Sequence, residues 1–176
     1  MDKNEILDQL DTQLWPLAEI SYTQNGQWFW YDFEPKQKDT EPLTIIWGGR
    51  ERFKPATELK RQTAPYFCIS YVLSGHGTLN IHGQTHKLEP GTLSGHCSGV
   101  PHHYSYDTQN PAEHIFVVFR GTEANELMQK SMIANLGALS ASYSVDILRS
   151  MIDILKHSLN KTENSQRICS SHLRIV

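Results

Sequence analysis

The chain has 176 residues, a net charge of −3, nine histidines and three cysteines. That length predicts about one domain with a real core and a helical appendage, and a weakly acidic chain is a poor grip for a phosphate backbone by itself. No run of eighteen apolar residues occurs and the opening MDKNEILDQL is charged, which argues against a membrane span or secretory leader and predicts a cytoplasmic home, where Cys68, Cys97 and Cys169, odd in number and without paired spacing, stay reduced.

Ile6, Leu7, Leu10 and Leu14 fall on one helical face between Asp2 and Leu14, and Pro16 ends the pattern. Glu19 to Phe33 reads as a hairpin turning at Asn25-Gly26, the pair that best suits a primed two-residue turn. In its second strand Trp28 and Trp30 share one face, while Phe29, Tyr31 and Phe33 share the other. Aromatics at this spacing fill a core or stack on a flat ligand, and Trp28 and Trp30 are the pocket candidates. LTIIW is a further strand, expected to end at Gly48-Gly49, and the charged stretch RERFKPATELKRQTAP follows it.

From Tyr66 to Arg120 the runs YFCISYV, TLNIH, HKL, HHYSY and HIFVVF are separated by SGHG, HGQ, EPG and NPAE. Gly and Pro make these separators turns, and the spacing predicts a small antiparallel barrel or sandwich. Six of the histidines lie between His76 and His103. A turn at Gly83-Gln84 would set His82 and His86 across a hairpin from each other. In the last strand His114, Phe116 and Val118 alternate with Ile115, Val117 and Phe119, so both faces are apolar enough to need a cover: a lumen on one side and a helix on the other. In the strand before it His102, Tyr104 and Tyr106 share a face, and His102 and Tyr104 make that face a candidate lumen wall.

Beyond Arg120 the periodicity turns helical. A helix is expected to start near Thr122 as cap, run through Met128, Met132 and Ile133, and break at Gly137. A second runs from about Ser144 to Asn160, and Ile147, Leu148, Met151, Ile152, Leu155 and Leu159 form one apolar stripe along it. Either the barrel or a second copy of the chain must cover that stripe. A third segment, from Thr162, reaches Val176 without a cap, which predicts that the chain continues.

Gly75-His76-Gly77, Gly83, Leu88-Glu89-Pro90-Gly91 and Gly99-Val100-Pro101-His102-His103-Tyr104 together resemble the cupin jelly roll, and more closely the effector-binding and dimerisation domain of AraC-type transcription regulators, over Leu43 to Val176. The resemblance implies a mainly β, cupin-like antiparallel barrel followed by C-terminal α-helices. It implies an effector-binding barrel with an N-terminal arm over residues 1–120 and a helical dimerisation segment over 121–176. Arg61 falls where the pattern has a basic residue that reaches the ligand, with Lys60 one position away. His102, Tyr104, His114 and Phe116 fall on ligand-facing positions, Phe116 standing where the pattern has a larger indole. Dimerisation would use Leu148, Met151, Ile152, Leu155 and Leu159.

The metal-binding cupin pattern needs a His-x-His pair and a Glu upstream of Tyr71, and the first histidine here is His76, which leaves Glu58 a solitary carboxylate. No metal and no cofactor is therefore expected. Neither a P-loop, a nucleophile elbow nor an HExxH motif occurs. The expectation is a sensor that binds a small molecule such as a sugar, forms a homodimer, and meets DNA only through a helix-turn-helix module outside this chain. The alternative is a small cupin enzyme with a metal on His96, His102 or His114.

Overall fold

Alternation gives every short strand an inner and an outer side, and two sheets of such strands can enclose one interior. The computed structural model describes residue 5 and residues 19–23, 26–32, 41–141, 144–158 and 162–176. Its strands are β1 (Glu19–Thr23), β2 (Gly26–Asp32), β3 (Thr44–Phe53), β4 (Glu58–Arg61), β5 (Phe67–Ser74), β6 (Gly77–Ile81), β7 (Gln84–Leu88), β8 (Thr92–His96), β9 (His102–Tyr106), β10 (Glu113–Arg120) and β11 (Ala138–Ser140). The helices are α1 (Ala124–Lys130), α2 (Ile133–Leu136), α3 (Val145–Ser158) and α4 (Glu163–Leu173). One sheet has the order β1-β2-β3-β10-β5-β8-β11 and the other β4-β9-β6-β7. This is the expected mainly β, cupin-like antiparallel jelly roll with C-terminal helices.

Parity along β10 divides the molecule. Ile115, Val117 and Phe119 point outward into a core shared with Ile69 and Tyr71 of β5 and with Leu148, Met151, Ile152 and Leu155 of α3. On the inner side of the same sheets Phe53, Val72, Leu79, Ile81, Leu88 and Ala112 pack with Tyr104 and Tyr106, closing one end of the barrel. Strand β3 serves both sides because of a bulge: Val118 is opposite Trp47 but Phe119 is opposite Ile45, so Ile46 is the extra residue. The insertion resets the alternation, sending Ile45 to the helix side while Trp47 and Glu51 keep the lumen side.

Several expectations are corrected. Strand β3 does not stop at Gly48-Gly49 but runs on to Phe53. A Cβ on Gly48 would lie 2.8 Å from Phe116 O and 3.0 Å from Leu155 Cδ2, so glycine is there to let α3 sit close on the sheet. The β6–β7 turn is His82-Gly83, with φ of 53° and 73°, and His86 lies opposite Leu79, so His82 and His86 do not face each other. Glu123, not Thr122, occupies the N-cap position of α1 and makes no side-chain capping bond, and Met132 at φ 65° separates α1 from α2 before the break at Gly137. The region after residue 120 also supplies β11, which pairs with β8.

The stripe on α3 is covered by the barrel. Leu148, Met151, Ile152 and Leu155 are each 2% exposed or less, so these four are interior side chains of a single chain and not a surface for a second copy. Leu159 lies outside the described residues, as does the expected helix over 2–14 apart from residue 5. Helix α4 begins at Thr162, whose Oγ1 accepts from Ser165 N at 3.1 Å. It is pinned to β3 by Gln166: Ile45 N donates to Gln166 Oε1 at 3.1 Å and Gln166 Nε2 donates to Ile45 O at 3.0 Å. The amide thus pairs both backbone groups of a bulge-flanking residue. No helix of the described residues is long and apolar enough to cross a membrane.

Candidate functional site

The open end of the barrel holds a cavity of about 160 Å³. Its wall is built by alternation. Trp47 and Glu51 come from β3, Leu59 and Arg61 from β4, Cys68 and Ser70 from β5, His96 from β8, His102, Tyr104 and Tyr106 from β9, and His114, Phe116 and Val118 from β10, with Tyr66 from the loop before β5. Cross-strand register explains the company they keep. His114 is opposite Glu51 on one side, Val118 is opposite both Trp47 and Cys68, and Phe116 is opposite Ser70, and directly opposed residues share a face.

The structure brings Arg61, His102, Tyr104, His114 and Phe116 around this one cavity. Between Arg61 and Lys60 the geometry chooses: Lys60 is exposed and pairs with Glu58 at 3.5 Å, while Arg61 lines the cavity. Trp28 and Trp30 lie in β2 opposite Glu51 and Gly49, and their side chains lie outside the described residues. Glu51, Tyr66, Ser70, Cys68 and Tyr106 were not among the predicted site residues. Cys68 and Ser70 could have been found, because YFCISYV alternates a polar set with Ile69 and Tyr71 and its polar face must join the lumen. Glu51 was hidden by ending β3 at the glycines.

The polar groups form two clusters. His96 and His102 stack with centroids 4.0 Å apart and planes inclined by 18°. His102 Nδ1 lies 2.9 Å from Val100 O and His96 Nδ1 lies 3.4 Å from Cys97 O. Deeper in, Ser70 Oγ is 3.0 Å from Ser94 Oγ and 3.5 Å from His114 Nδ1, and the Tyr104 hydroxyl bonds to both serines. The His114 ring meets Phe53, Tyr104 and Tyr106 edge-on. Among the described residues its buried Nε2 has no hydrogen-bond partner, a costly state for an imidazole.

Burial sets the charges. It pulls His96 down to about 3, helped by the neighbouring His102, and His114 down to about 4. It lowers His102 as well. Burial pushes the Glu51 carboxyl up to about 8 against the opposing pull of Arg61, and raises the Tyr104 hydroxyl and the Cys68 thiol. At neutral pH the wall is therefore almost uncharged: imidazoles, hydroxyls, a thiol and a carboxylic acid, with an exposed guanidinium beside them. Such a wall can orient a small molecule by hydrogen bonds.

It is poorly arranged for a metal. Among the described residues no group of three or more His, Cys, Asp or Glu side chains is placed to hold an ion, and the His96 and His102 rings lie face to face instead of converging on one point.

Residues 49–174 match the family model for the AraC-like ligand binding domain. Among solved structures the chain is similar to oxalate decarboxylase from Bacillus subtilis, at 17% identity and a TM-score of 0.48 over 64% of this chain and 30% of that one. The same enzyme at pH 4.6 aligns at 14% identity and a TM-score of 0.48 over 77% and 32%. The plu4264 protein from Photorhabdus luminescens aligns at 13% identity and a TM-score of 0.45 over 65% and 90%. The chain spans about a third of the decarboxylase's length. No curated protein matches it.

Proposed function

Because the chain belongs to the family of AraC-like ligand-binding domains, we propose that it is the effector-sensing part of a cytoplasmic AraC-type transcription regulator, with the effector held inside the barrel. One observation carries the reading. His114, 2% exposed, lines the cavity and has a buried Nε2 with no partner among the described residues, and a bound molecule would supply the missing bond. Arg61, His102, Tyr104, His114 and Phe116 are the proposed contacts.

Sensing of this kind needs no chemical step. A ligand shifts a regulator by binding one arrangement more tightly than another. Pairing with a second copy, and DNA contact through a module outside this chain, are part of the same proposal. Because α3 spends its inner face on the barrel, that pairing is assigned to the outward faces of α3 and α4.

Thermal-shift screening with sugars, sugar acids, aromatic acids and small amines tests the reading, followed by calorimetry on the hits. Arg61→Ala and His102→Ala are each expected to weaken a hit about tenfold or more, the loss of a good hydrogen bond or two. A panel that yields no binder, or binding that none of the five substitutions weakens, puts the proposal aside. Light scattering on the same protein reads the assembly, and a monomer at all concentrations removes the pairing.

A further inference from the structure

The two sheets that enclose the cavity bring an acid and a base to its wall. Glu51 comes from β3 of the seven-stranded sheet and Arg61 from β4 of the four-stranded one, and both line the cavity. Arg61 is opposite His102 and Leu59 is opposite Tyr104 in the register of β4 and β9, so alternation turns Arg61 to the lumen side with those residues. Among the described residues neither the Glu51 carboxyl nor the Arg61 guanidinium is held by a hydrogen bond or an ion pair, to each other or to a third group. Although Arg61 is exposed, its charge acts on Glu51, Tyr66, His96 and His102, so the base reaches the same space as the acid.

The surroundings of the acid favour a cation. Trp47, Gly49 and Glu51 alternate onto one side of β3, which gives the wall an indole, then a position with no side chain, then the carboxyl. Tyr66 meets Trp47 edge-on with centroids 4.8 Å apart and is acted on by both Glu51 and Arg61. Ring faces attract an ammonium and repel an anion, and a carboxyl beside them completes an ammonium seat. The guanidinium fork suits a carboxylate. A ligand with only a positive charge meets Arg61, and one with only a negative charge leaves the aromatic end unmatched. One that carries both charges satisfies both ends. The volume of about 160 Å³ is close to the roughly 150 Å³ of an engineered cavity that takes up benzene, so the ligand has about six non-hydrogen atoms.

We propose that the effector is a small zwitterion, an amino acid of this size, with its ammonium on Glu51 against Trp47 and Tyr66 and its carboxylate on Arg61. The inference rests on the effector-sensing reading above and narrows it to a ligand class.

Probes built on three carbons separate the outcomes by calorimetry on the intact chain. L-Alanine and β-alanine carry both charges at two spacings, n-propylamine carries only the cation, and propionate carries only the anion. One of the two amino acids is expected to bind at least about tenfold more tightly than either single-charge probe. Glu51→Gln is expected to bring it down to the affinity of propionate, and Arg61→Gln to that of propylamine. The unsubstituted protein supplies a readout that needs no variant. Glu51 holds its proton at neutral pH, and an ammonium beside it favours the carboxylate. Binding at pH 7 should therefore release about one proton, read as a heat that changes with the ionisation enthalpy of the buffer. Propionate or propylamine binding as tightly as both amino acids overturns the inference, and so does amino-acid binding without proton release. In these cases effector sensing stands with another ligand class. Silence from all four probes also overturns the inference, whereas the effector reading falls only when the broad screen is silent too.

Discussion

A carboxyl and three imidazoles in one cavity titrate in opposite senses, and the signs predict a stability profile. Glu51 rises from 4.5 unfolded to about 8 folded. It binds its proton more tightly in the native state, so its contribution is present at low pH and lost as pH climbs from about 4.5 to 8. His96 and His114 fall from 6.5 to about 3 and about 4, and His102 falls too. Their contribution is present above 6.5 and lost as pH drops through that value toward the folded pKa. Between 6.5 and 8 Glu51 acts alone among the four. Glu51→Gln is therefore expected to flatten the melting temperature over that window, where the unsubstituted chain declines, and an equal decline in both proteins removes Glu51 as its source. His114 supplies a second test. Its Nε2, without a partner among the described residues, costs on the order of 1–3 kcal/mol, and its ring already sits among Phe53, Tyr104 and Tyr106. His114→Phe should leave denaturant stability equal or higher while weakening effector binding. A loss of more than about 2 kcal/mol would mean that the ring is already satisfied and serves the core.

Among elements, β3 is the one whose reading from sequence failed, and the failure has a cause. Gly48-Gly49 carries the composition of a strand end, yet the pair sits mid-strand, and α3 presses on Gly48. That contact joins residues more than 100 positions apart, and no local pattern announces it. Gly48→Ala should cost about 1–3 kcal/mol in chemical denaturation, since the new methyl meets the Phe116 carbonyl at 2.8 Å and Leu155 at 3.0 Å. A neutral result would show that α3 can back away. Where alternation ran unbroken the sequence was legible: β9 and β10 could be divided into inner and outer faces from HHYSY and HIFVVF alone, and their inner residues do line the cavity. The bulge at Ile46 was not legible, and with it went Trp47 and Glu51. The apolar stripe of α3 was visible too, but periodicity names a face without naming its cover. Only the packed chain shows that the barrel has already taken it.

For the molecule as a whole, the question is how an event in the cavity could reach the helices. Strand β3 carries Trp47 and Glu51 on the cavity wall and, at Ile45, the two hydrogen bonds from Gln166 that tether α4. Ser170 adds a third, donating to Leu43 O at 3.0 Å. Helix α3 is held mainly by buried apolar contacts, whereas Cys169 and Leu173 are the fully buried apolar residues of α4, so α4 depends more on its polar tether. Gln166→Leu leaves the N–H and C=O of a fully buried Ile45 without partners, a cost of about 2 kcal/mol. Gln166→Glu should cost a similar amount despite its matching shape, because a carboxylate accepts from Ile45 N but cannot donate to Ile45 O. If the tether acts locally, hydrogen exchange should quicken about 30-fold at α4 amides in Gln166→Leu while β5 and β10 keep their protection. Uniform loss across both sheets would instead make α4 part of one cooperative unit with the barrel, and the helix could then respond to the cavity only when the whole domain does.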